Sequence, residues 1–169
     1  MVSSLFVRPY PNIGKFMTIN INANTLAEYV GKETGVSHWF TITQEQINKF
    51  GDATHDQQYI HVDPKKAKDS AFGGTIAHGF LSLSLLSAIS YQAAINLENT
   101  VMGLNYGFEK VRFLHPVKVN SRVRGRMVLS DVIEKRPGYF LYSWAVTIEI
   151  EGEEKPALTA QWLTMTIIA

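Results

Sequence analysis

The amino-acid sequence predicts an α+β fold in which one long helix lies across a curved antiparallel sheet of about five strands. Residues 70–97 contain no Asp, Glu, Lys or Arg, which is typical of a helix buried in a core. From residue 100 onward the pattern changes to four long strand-like runs. With 169 residues and 46% hydrophobic content, the chain suits one core, so we expect a single domain over residues 1–169.

The first part of the chain predicts one short helix. Residues 1–20 show no clear period and are interpreted as a possible N-terminal arm. Asn24 is suited to cap the helix TLAEYV, which Gly31 would end.

A strand and a second helix are predicted next. The run SHWFTIT, residues 37–43, is rich in β-forming residues. Thr43 and Gln46 have the spacing of a capping box, which predicts a helix of about two turns to Phe50, ended by Gly51.

The middle of the chain predicts the long helix. Asp63 followed by Pro64 indicates the start of a short basic helix. Residues 71–79 form a glycine-rich loop, and residues 80–96 follow as a helix of about four to five turns. Because apolar residues occur on most sides of this helix, we expect the sheet to cover it nearly all round.

The last third predicts four antiparallel strands joined by the turns KRPGY and EGEEK. In the third of these strands, every second residue from 140 to 150 is large and apolar, which is the period of a half-buried strand. The four predicted strands cover residues 100–114, 119–135, 139–151 and 157–169.

Composition excludes several classes of function. A net charge of +1 argues against nucleic-acid and membrane-surface binding, and the absence of cysteine excludes thiolate metal sites and cysteine nucleophiles. The N-terminus has no signal-peptide pattern, so we expect a cytoplasmic protein. Glycines, serines and His78 interrupt the uncharged segment, which favours a buried helix over a membrane span.

The loop THDQQYIH, residues 54–61, carries the first candidate chemistry. A carboxylate and an imidazole that hold one water between them can supply the base and the acid needed to hydrate an activated alkene. Asp56 and His61 are suited to these roles, although such a pair also occurs in ordinary turns.

Gly79, which follows His78, offers a second element. If the long helix begins near His78, its first N–H groups have no helical partners and can stabilise an oxyanion. The alternative is that the glycines of this loop only permit tight turns and close packing.

Three blocks of the sequence, in this order, resemble the MaoC-like dehydratase family, closest to its NodN-like branch, among the (R)-specific enoyl-CoA hydratases. The resemblance implies a dimeric hot-dog fold and a coenzyme A or acyl-carrier thioester as substrate. We expect no cofactor, and no metal, because His55, Asp56 and His61 do not have a strong zinc-site spacing. The resemblance also implies that Asp56 and His61 are catalytic, that Gly79 is the oxyanion donor and that Ser87 faces the acyl site. The blocks are FGDATHDQQYIHVD, FGGTIAHGFLSLSLLS and LNYGFEKVRFLHPVKVNSRVRGR.

The chain departs from the family pattern at two places. Gln58 and Tyr59 stand where many hydratases have Asn-Pro, which bears on substrate range, and we predict that Gln58 and His78 help to bind substrate. His55 precedes the catalytic Asp where the branch commonly has glycine, and a histidine tolerates a left-handed backbone less well.

The favoured prediction is an (R)-specific enoyl-CoA hydratase, and two alternatives remain open. One is a hot-dog acyl-CoA thioesterase, and the other is a non-catalytic subunit that binds acyl groups. Arg122, Arg124 and Arg126 alternate along one strand, so they share a sheet face. This face is interpreted first as solvated and second as a contact for the phosphates of coenzyme A.

Overall fold

Alternating apolar side chains build the four long strands that dominate the fold. The computed structural model describes residues 20–169 of the chain, so the predicted N-terminal arm lies almost wholly outside the described residues. The strands are β1 (Asn20–Ile21), β2 (Glu33–Val36), β3 (Phe40–Thr41), β4 (Asn96–Leu97), β5 (Thr100–Phe113), β6 (Arg122–Arg136), β7 (Tyr139–Ile150) and β8 (Leu158–Ile168). A 3-10 helix (Ala23–Tyr29) precedes α1 (Gln44–Thr54), α2 (Tyr59–Val62), α3 (Pro64–Ala67), α4 (Gly79–Ser84) and α5 (Leu86–Ala93).

The main sheet is antiparallel throughout, as predicted. Its strand order is β2-β6-β7-β8-β5, and β3 pairs with another part of β6. Six strands form it among the described residues, one more than predicted, because β2 forms just before the predicted strand segment at residues 37–43. A separate parallel pair joins β1 to β4. Strand β5 lies at one edge of the main sheet and pairs only with β8 within the described chain.

The predicted strand over residues 37–43 is wrong in extent, since only Phe40 and Thr41 form a strand there. The reason is a side-chain contact from α5. The backbone N–H of His38 donates to Oε1 of Gln92 at 3.0 Å instead of to β6. Strands β2 and β3 pair with β6 before and after His38, respectively.

The long helix predicted over residues 80–96 is divided into α4 and α5 at Leu85. The Oγ of Ser84 donates to the carbonyl of Phe80 at 2.7 Å, and serine side chains that bond the preceding turn weaken or bend a helix. The expectation of cover on all sides is also wrong for the single chain. Phe80 and Tyr91 are 65% and 62% exposed.

Helix α5 lies directly on the sheet at two glycines. A Cβ at Gly35 would lie 2.9 Å from Cα of Ala93, and a Cβ at Gly125 would overlap the side chain of Ile89. The buried positions of β7 alternate, as predicted, and belong to the same hydrophobic core as Ile89 and Ala93 of α5. The buried residues of β7 are Phe140, Tyr142, Trp144, Val146, Ile148 and Ile150.

The first short helix has its N-cap two residues earlier than predicted. Asn22, not Asn24, is its N-cap, because Oδ1 of Asn22 accepts from the backbone N–H of Asn24 at 3.0 Å. The helix is of the 3-10 type, and Gly31 follows its end with a φ of 81°, as a terminating glycine does.

Helix α1 begins with the predicted capping box of Thr43 and Gln46. Its predicted end at Gly51 is wrong, since the helix continues to Thr54 and Gly51 is buried within it. The residue that ends the helix is His55, which has a left-handed backbone with φ 60° and ψ 21°. The position before Asp56 is therefore one that favours glycine.

The Asp63 cap is confirmed, because its Oδ1 accepts from the N–H groups of Lys65 and Lys66 at 3.1 and 3.0 Å. Among residues 20–169, no helix has the length and apolar character needed to span a bilayer.

Candidate active site

Asp56 lies on the turn between α1 and α2, and its backbone is held against α1. A Cβ at Gly51 would lie 2.9 Å from the Asp56 carbonyl oxygen, so only glycine lets the turn approach this closely. Oδ1 of Asp56 accepts from the N–H of Gln58 at 3.3 Å. The carboxylate is 52% exposed and so can meet a substrate from outside.

His61 is buried on α2 with one ring nitrogen occupied. Its Nδ1 lies 2.7 Å from the carbonyl oxygen of Ile76, and because a carbonyl only accepts, we assign the proton to Nδ1. Nε2 is then the basic nitrogen. Burial lowers the pKa of His61, and the charge of His78 adds to this effect, while the bond to Ile76 and the Asp56 carboxylate oppose it. The imidazole is therefore held neutral and basic.

His78 connects the two candidate catalytic residues. Its ring stacks on that of His61 with centroids 3.9 Å apart. Its Nε2 donates to the Asp56 carbonyl oxygen at 3.0 Å and lies 3.9 Å from Oδ2 of the same residue. The ring is buried, and its Nδ1 has no hydrogen-bond partner within the described chain. A residue predicted to bind substrate thus lies beneath Asp56 and beside His61.

Gly79 is the first residue of α4, directly after His78. The His78 side chain makes no capping bond, so the first N–H groups of α4 receive no side-chain cap. A Cβ at Gly79 would lie 3.0 Å from the ring of Phe113 on β5. The glycine therefore brings the helix start close to the edge strand of the sheet.

Gln58 and Ser87 lie on either side of this cluster. Gln58 is exposed at the start of α2. Ser87 is on α5, eight residues beyond Gly79, which corresponds to about 12 Å of helix. The structure therefore brings Asp56, His61 and His78 together and places Ser87 farther along the same helical segment.

Two adjoining cavities, each of about 480 Å³, lie between the α4–α5 segment and strands β5 and β8. The first cavity is mainly apolar and includes Phe80, Leu83, Phe108 and Phe113 in its wall. The second includes Ser90, Tyr91, Thr164 and Thr166. Both share Ser87, Asn105 and Trp162, so the two cavities adjoin at these residues, and Gly79 lines neither of them.

Sequence reasoning missed Asn105 and Thr164 in the wall of these cavities. A signal was present in β8, where every second residue from Leu158 to Trp162 is apolar and the next positions in this series are threonines. Polar residues at the core-facing positions of a strand indicate a site or an opening.

The same cluster contains donor atoms suited to a divalent cation. Ligand atoms of Asp56, His61 and His78 lie within 4.8 Å of one another. Two of these groups already take part in internal hydrogen bonds, through Nδ1 of His61 and Nε2 of His78. A site without metal stays a prediction from the sequence.

The three alternating arginines of β6 are each paired with a carboxylate, which supports the solvated-face interpretation over phosphate binding. Arg122 contacts Glu151 at 2.7 Å, and Arg124 contacts Glu149 at 2.6 Å. Arg126 bonds both Glu33 and Glu149.

A helical segment on a curved antiparallel sheet, with an acid and a neutral imidazole beside the helix start, defines a hot-dog protein of the hydratase and dehydratase type. The family model for the MaoC like domain matches residues 25–140. The chain belongs to this family.

Relatives and solved structures agree with this assignment. Nodulation protein N of Rhizobium meliloti (strain 1021) is 50% identical over 146 residues, covering 86% of this chain and 91% of that protein. The 3-hydroxyacyl-thioester dehydratase Z of Mycobacterium tuberculosis (strain ATCC 25618 / H37Rv) is 45% identical over 136 residues, covering 80% and 89%. The fold is shared with an (R)-hydratase from A. caviae involved in PHA biosynthesis, at a TM-score of 0.66 and 22% identity over 80% of this chain and 94% of that one.

Proposed function

We propose that the protein is an (R)-specific enoyl-CoA hydratase, which adds water reversibly to trans-2-enoyl thioesters and gives (R)-3-hydroxyacyl thioesters. The observation that carries the proposal is the state of His61. Its Nδ1 donates to Ile76, which leaves Nε2 as a neutral base beside the Asp56 carboxylate. The similar dehydratase of Mycobacterium tuberculosis acts, by its name, on 3-hydroxyacyl thioesters.

In the proposed reaction, the Asp56 carboxylate and Nε2 of His61 hold and activate one water molecule. The water oxygen bonds to C3 of the substrate, and a proton from the catalytic pair is delivered to C2. The atoms of one water are thereby added across the double bond. Negative charge that develops on the thioester oxygen is stabilised by the Gly79 N–H at the start of α4.

His61 is suited to both directions of this reaction because its pKa is lowered by burial. A neutral imidazole can take a proton from water during hydration and return one during dehydration. The exposed Asp56 carboxylate lies on the outer side of the cluster, where a thioester would enter.

We further propose that the active form is a homodimer that covers β5. This edge strand carries a row of exposed apolar side chains, including Val101, Met102, Leu104 and Tyr106. An exposed apolar edge of this length favours association, since residues 20–169 leave both its backbone groups and its side chains uncovered.

The test is a spectrophotometric assay of the purified protein with crotonyl-CoA and longer enoyl-CoAs, with chiral analysis of the product. We expect loss of the enoyl absorbance and formation of the (R)-3-hydroxyacyl product, and a large loss of rate in Asp56→Asn. Release of free CoA would indicate the thioesterase alternative. Absence of any turnover together with acyl-CoA binding would indicate the non-catalytic subunit.

A further inference from the structure

The core-facing side of the sheet changes from apolar to polar beneath α5. Leu158, Ala160 and Trp162 of β8 are buried, but the next residues of this series, Thr164 and Thr166, are only half-buried and line the second cavity. Apolar side chains would fill this space if it served only as core.

Two side chains of this wall present hydrogen-bond donors. Nε1 of Trp162 donates to Oδ1 of Asn105 at 2.7 Å, and Nε1 of Trp144 donates to Oγ1 of Thr164 at 2.9 Å. An indole N–H only donates, so these bonds use acceptor positions. Within residues 20–169 they leave the amide N–H groups of the exposed Asn105 and the O–H of the half-buried Thr164 open to water or a ligand. Asn105 and Thr164 are directly opposite each other in the β5–β8 register.

A third donor lies behind the same wall. The O–H of Tyr142 is buried within interaction distance of Thr166, although the two groups do not meet the geometry of a standard hydrogen bond. Tyr142 is opposite Thr164 in the β7–β8 register, and buried phenol groups normally have a partner. The local excess of donors favours a ligand atom that accepts hydrogen bonds.

Phe113 links the start of α4 to the two cavities, which Asp56, His61 and Gly79 do not themselves line. Phe113 contacts the start of α4 at Gly79 and also lines the first, apolar cavity. The first cavity opens into the second at Ser87, about 12 Å along the helical segment from Gly79. A thioester bound at Gly79 would therefore place its acyl chain against apolar side chains before the chain meets Asn105 and Thr164.

We infer that the preferred substrates are enoyl thioesters of medium length whose acyl chain carries an oxygen, as a hydroxyl or keto group, near its far end. This inference rests on the proposed hydratase function. The distal oxygen accepts hydrogen bonds from Asn105 and Thr164, while the middle of the acyl chain fills the apolar cavity.

The experiment compares kcat/KM for three substrates: crotonyl-CoA, trans-2-decenoyl-CoA and its ω-hydroxylated analogue. We expect the hydroxylated substrate to be preferred over decenoyl-CoA by about tenfold, the net effect of one or two hydrogen bonds. Crotonyl-CoA does not reach the second cavity and reports the chemistry alone. If crotonyl-CoA is not hydrated, the proposed function fails; if it is hydrated without a preference between the long substrates, only the present inference fails.

Matched variants test whether Asn105 and Thr164 cause the preference for the hydroxylated substrate. Thr164→Val and Asn105→Leu should abolish the preference for the hydroxylated substrate and leave crotonyl-CoA turnover unchanged, while Thr164→Ser should retain the preference. Thermal melts of each variant check that the fold is intact. If these variants instead weaken dimer formation in light scattering and leave the preference unchanged, the second cavity belongs to the subunit interface and the inference is overturned.

Discussion

The two ends of the α4–α5 segment differ in how their polar groups are satisfied. At the first end, His61 and His78 stack, and each ring donates a hydrogen bond to a backbone carbonyl. At the other end, Asn105 and Thr164 accept bonds from indoles, and their own donors remain available. At the first end both rings are held by the chain, with Nδ1 of His78 unpaired within residues 20–169, whereas the donors of the second end are open to water or a ligand.

We interpret the first end as the catalytic site and the second end as the part that selects the substrate. A catalytic group must be held in one geometry, because small misplacements reduce the rate strongly. A specificity pocket must instead leave hydrogen-bonding groups unpaired until the correct ligand arrives, since unpaired buried groups penalise the wrong one. The changes described below test whether the two ends act separately, from the largest expected effect to the smallest.

The largest effect is expected at His61. Replacing it in His61→Ala removes the neutral base, so kcat for crotonyl-CoA should fall about 10²- to 10⁴-fold. The matched distal variant, Thr164→Val, should leave kcat for this short substrate unchanged. Equal losses in both variants would contradict the separation of the two ends.

A smaller effect is expected at His78, which holds the Asp56 backbone. In His78→Ala, kcat should fall about tenfold to a hundredfold with little change in KM, because Asp56 and His61 lose a shared support. His78→Gln, which keeps an N–H donor, should recover part of the rate. A raised KM at unchanged kcat would instead support the substrate-binding role that the sequence predicts.

A substitution at Gly51 tests how α1 positions the backbone of Asp56. A Cβ at this position would lie 2.9 Å from the Asp56 carbonyl oxygen, so Gly51→Ala should displace the turn and lower kcat by about tenfold. Gly74→Ala is the control, because a Cβ there would meet nothing within 4 Å. Unchanged activity in both variants would show that the turn adjusts without cost.

The pH dependence follows from the lowered pKa of His61. Because the unfolded chain binds this proton more readily than the folded protein, protonation favours unfolding. The contribution of His61 to the free energy of unfolding is fully present above the ordinary value of 6.5 and is lost as pH falls through the lower folded pKa. Thermal melts in a pH series should show this loss in the wild type and not in His61→Gln. The acid limb of kcat/KM should likewise lie below 6.5.

The smallest effect is expected at His55, whose φ is 60°. His55→Gly should raise the free energy of unfolding by about 1 kcal/mol or less, since relief of the left-handed backbone is offset by greater freedom in the unfolded chain. His55→Ala keeps the Cβ and should give no gain. Chemical denaturation measures both variants, and a loss of kcat in His55→Gly would show that the imidazole itself contributes to the site.

Local patterns predicted much of the fold. The alternation in β7, the capping box at Thr43 and the Asp63 cap depend on neighbours within a few residues, and each formed as expected. The left-handed backbone at His55 agrees with the departure noted from the family pattern.

Features that depend on distant contacts were not predicted. Glycine often ends a helix, but α1 continues through Gly51. The glycine is needed there because the Asp56 carbonyl oxygen lies where a Cβ would be. The interruption at His38 depends on Gln92, which is 54 residues away in sequence. The roles of Asp56 and His61 came from resemblance, because their spacing alone is also that of an ordinary turn.

The tryptophans of the second cavity give the protein an internal optical reporter. Of three tryptophans in the chain, Trp144 and Trp162 line this cavity, while Trp39 lies against Arg124 elsewhere. An acyl chain that enters the cavity changes the surroundings of two buried indoles, so intrinsic fluorescence should follow its binding directly. Trp39→Phe would remove the unrelated emission and let occupancy be read without an added label.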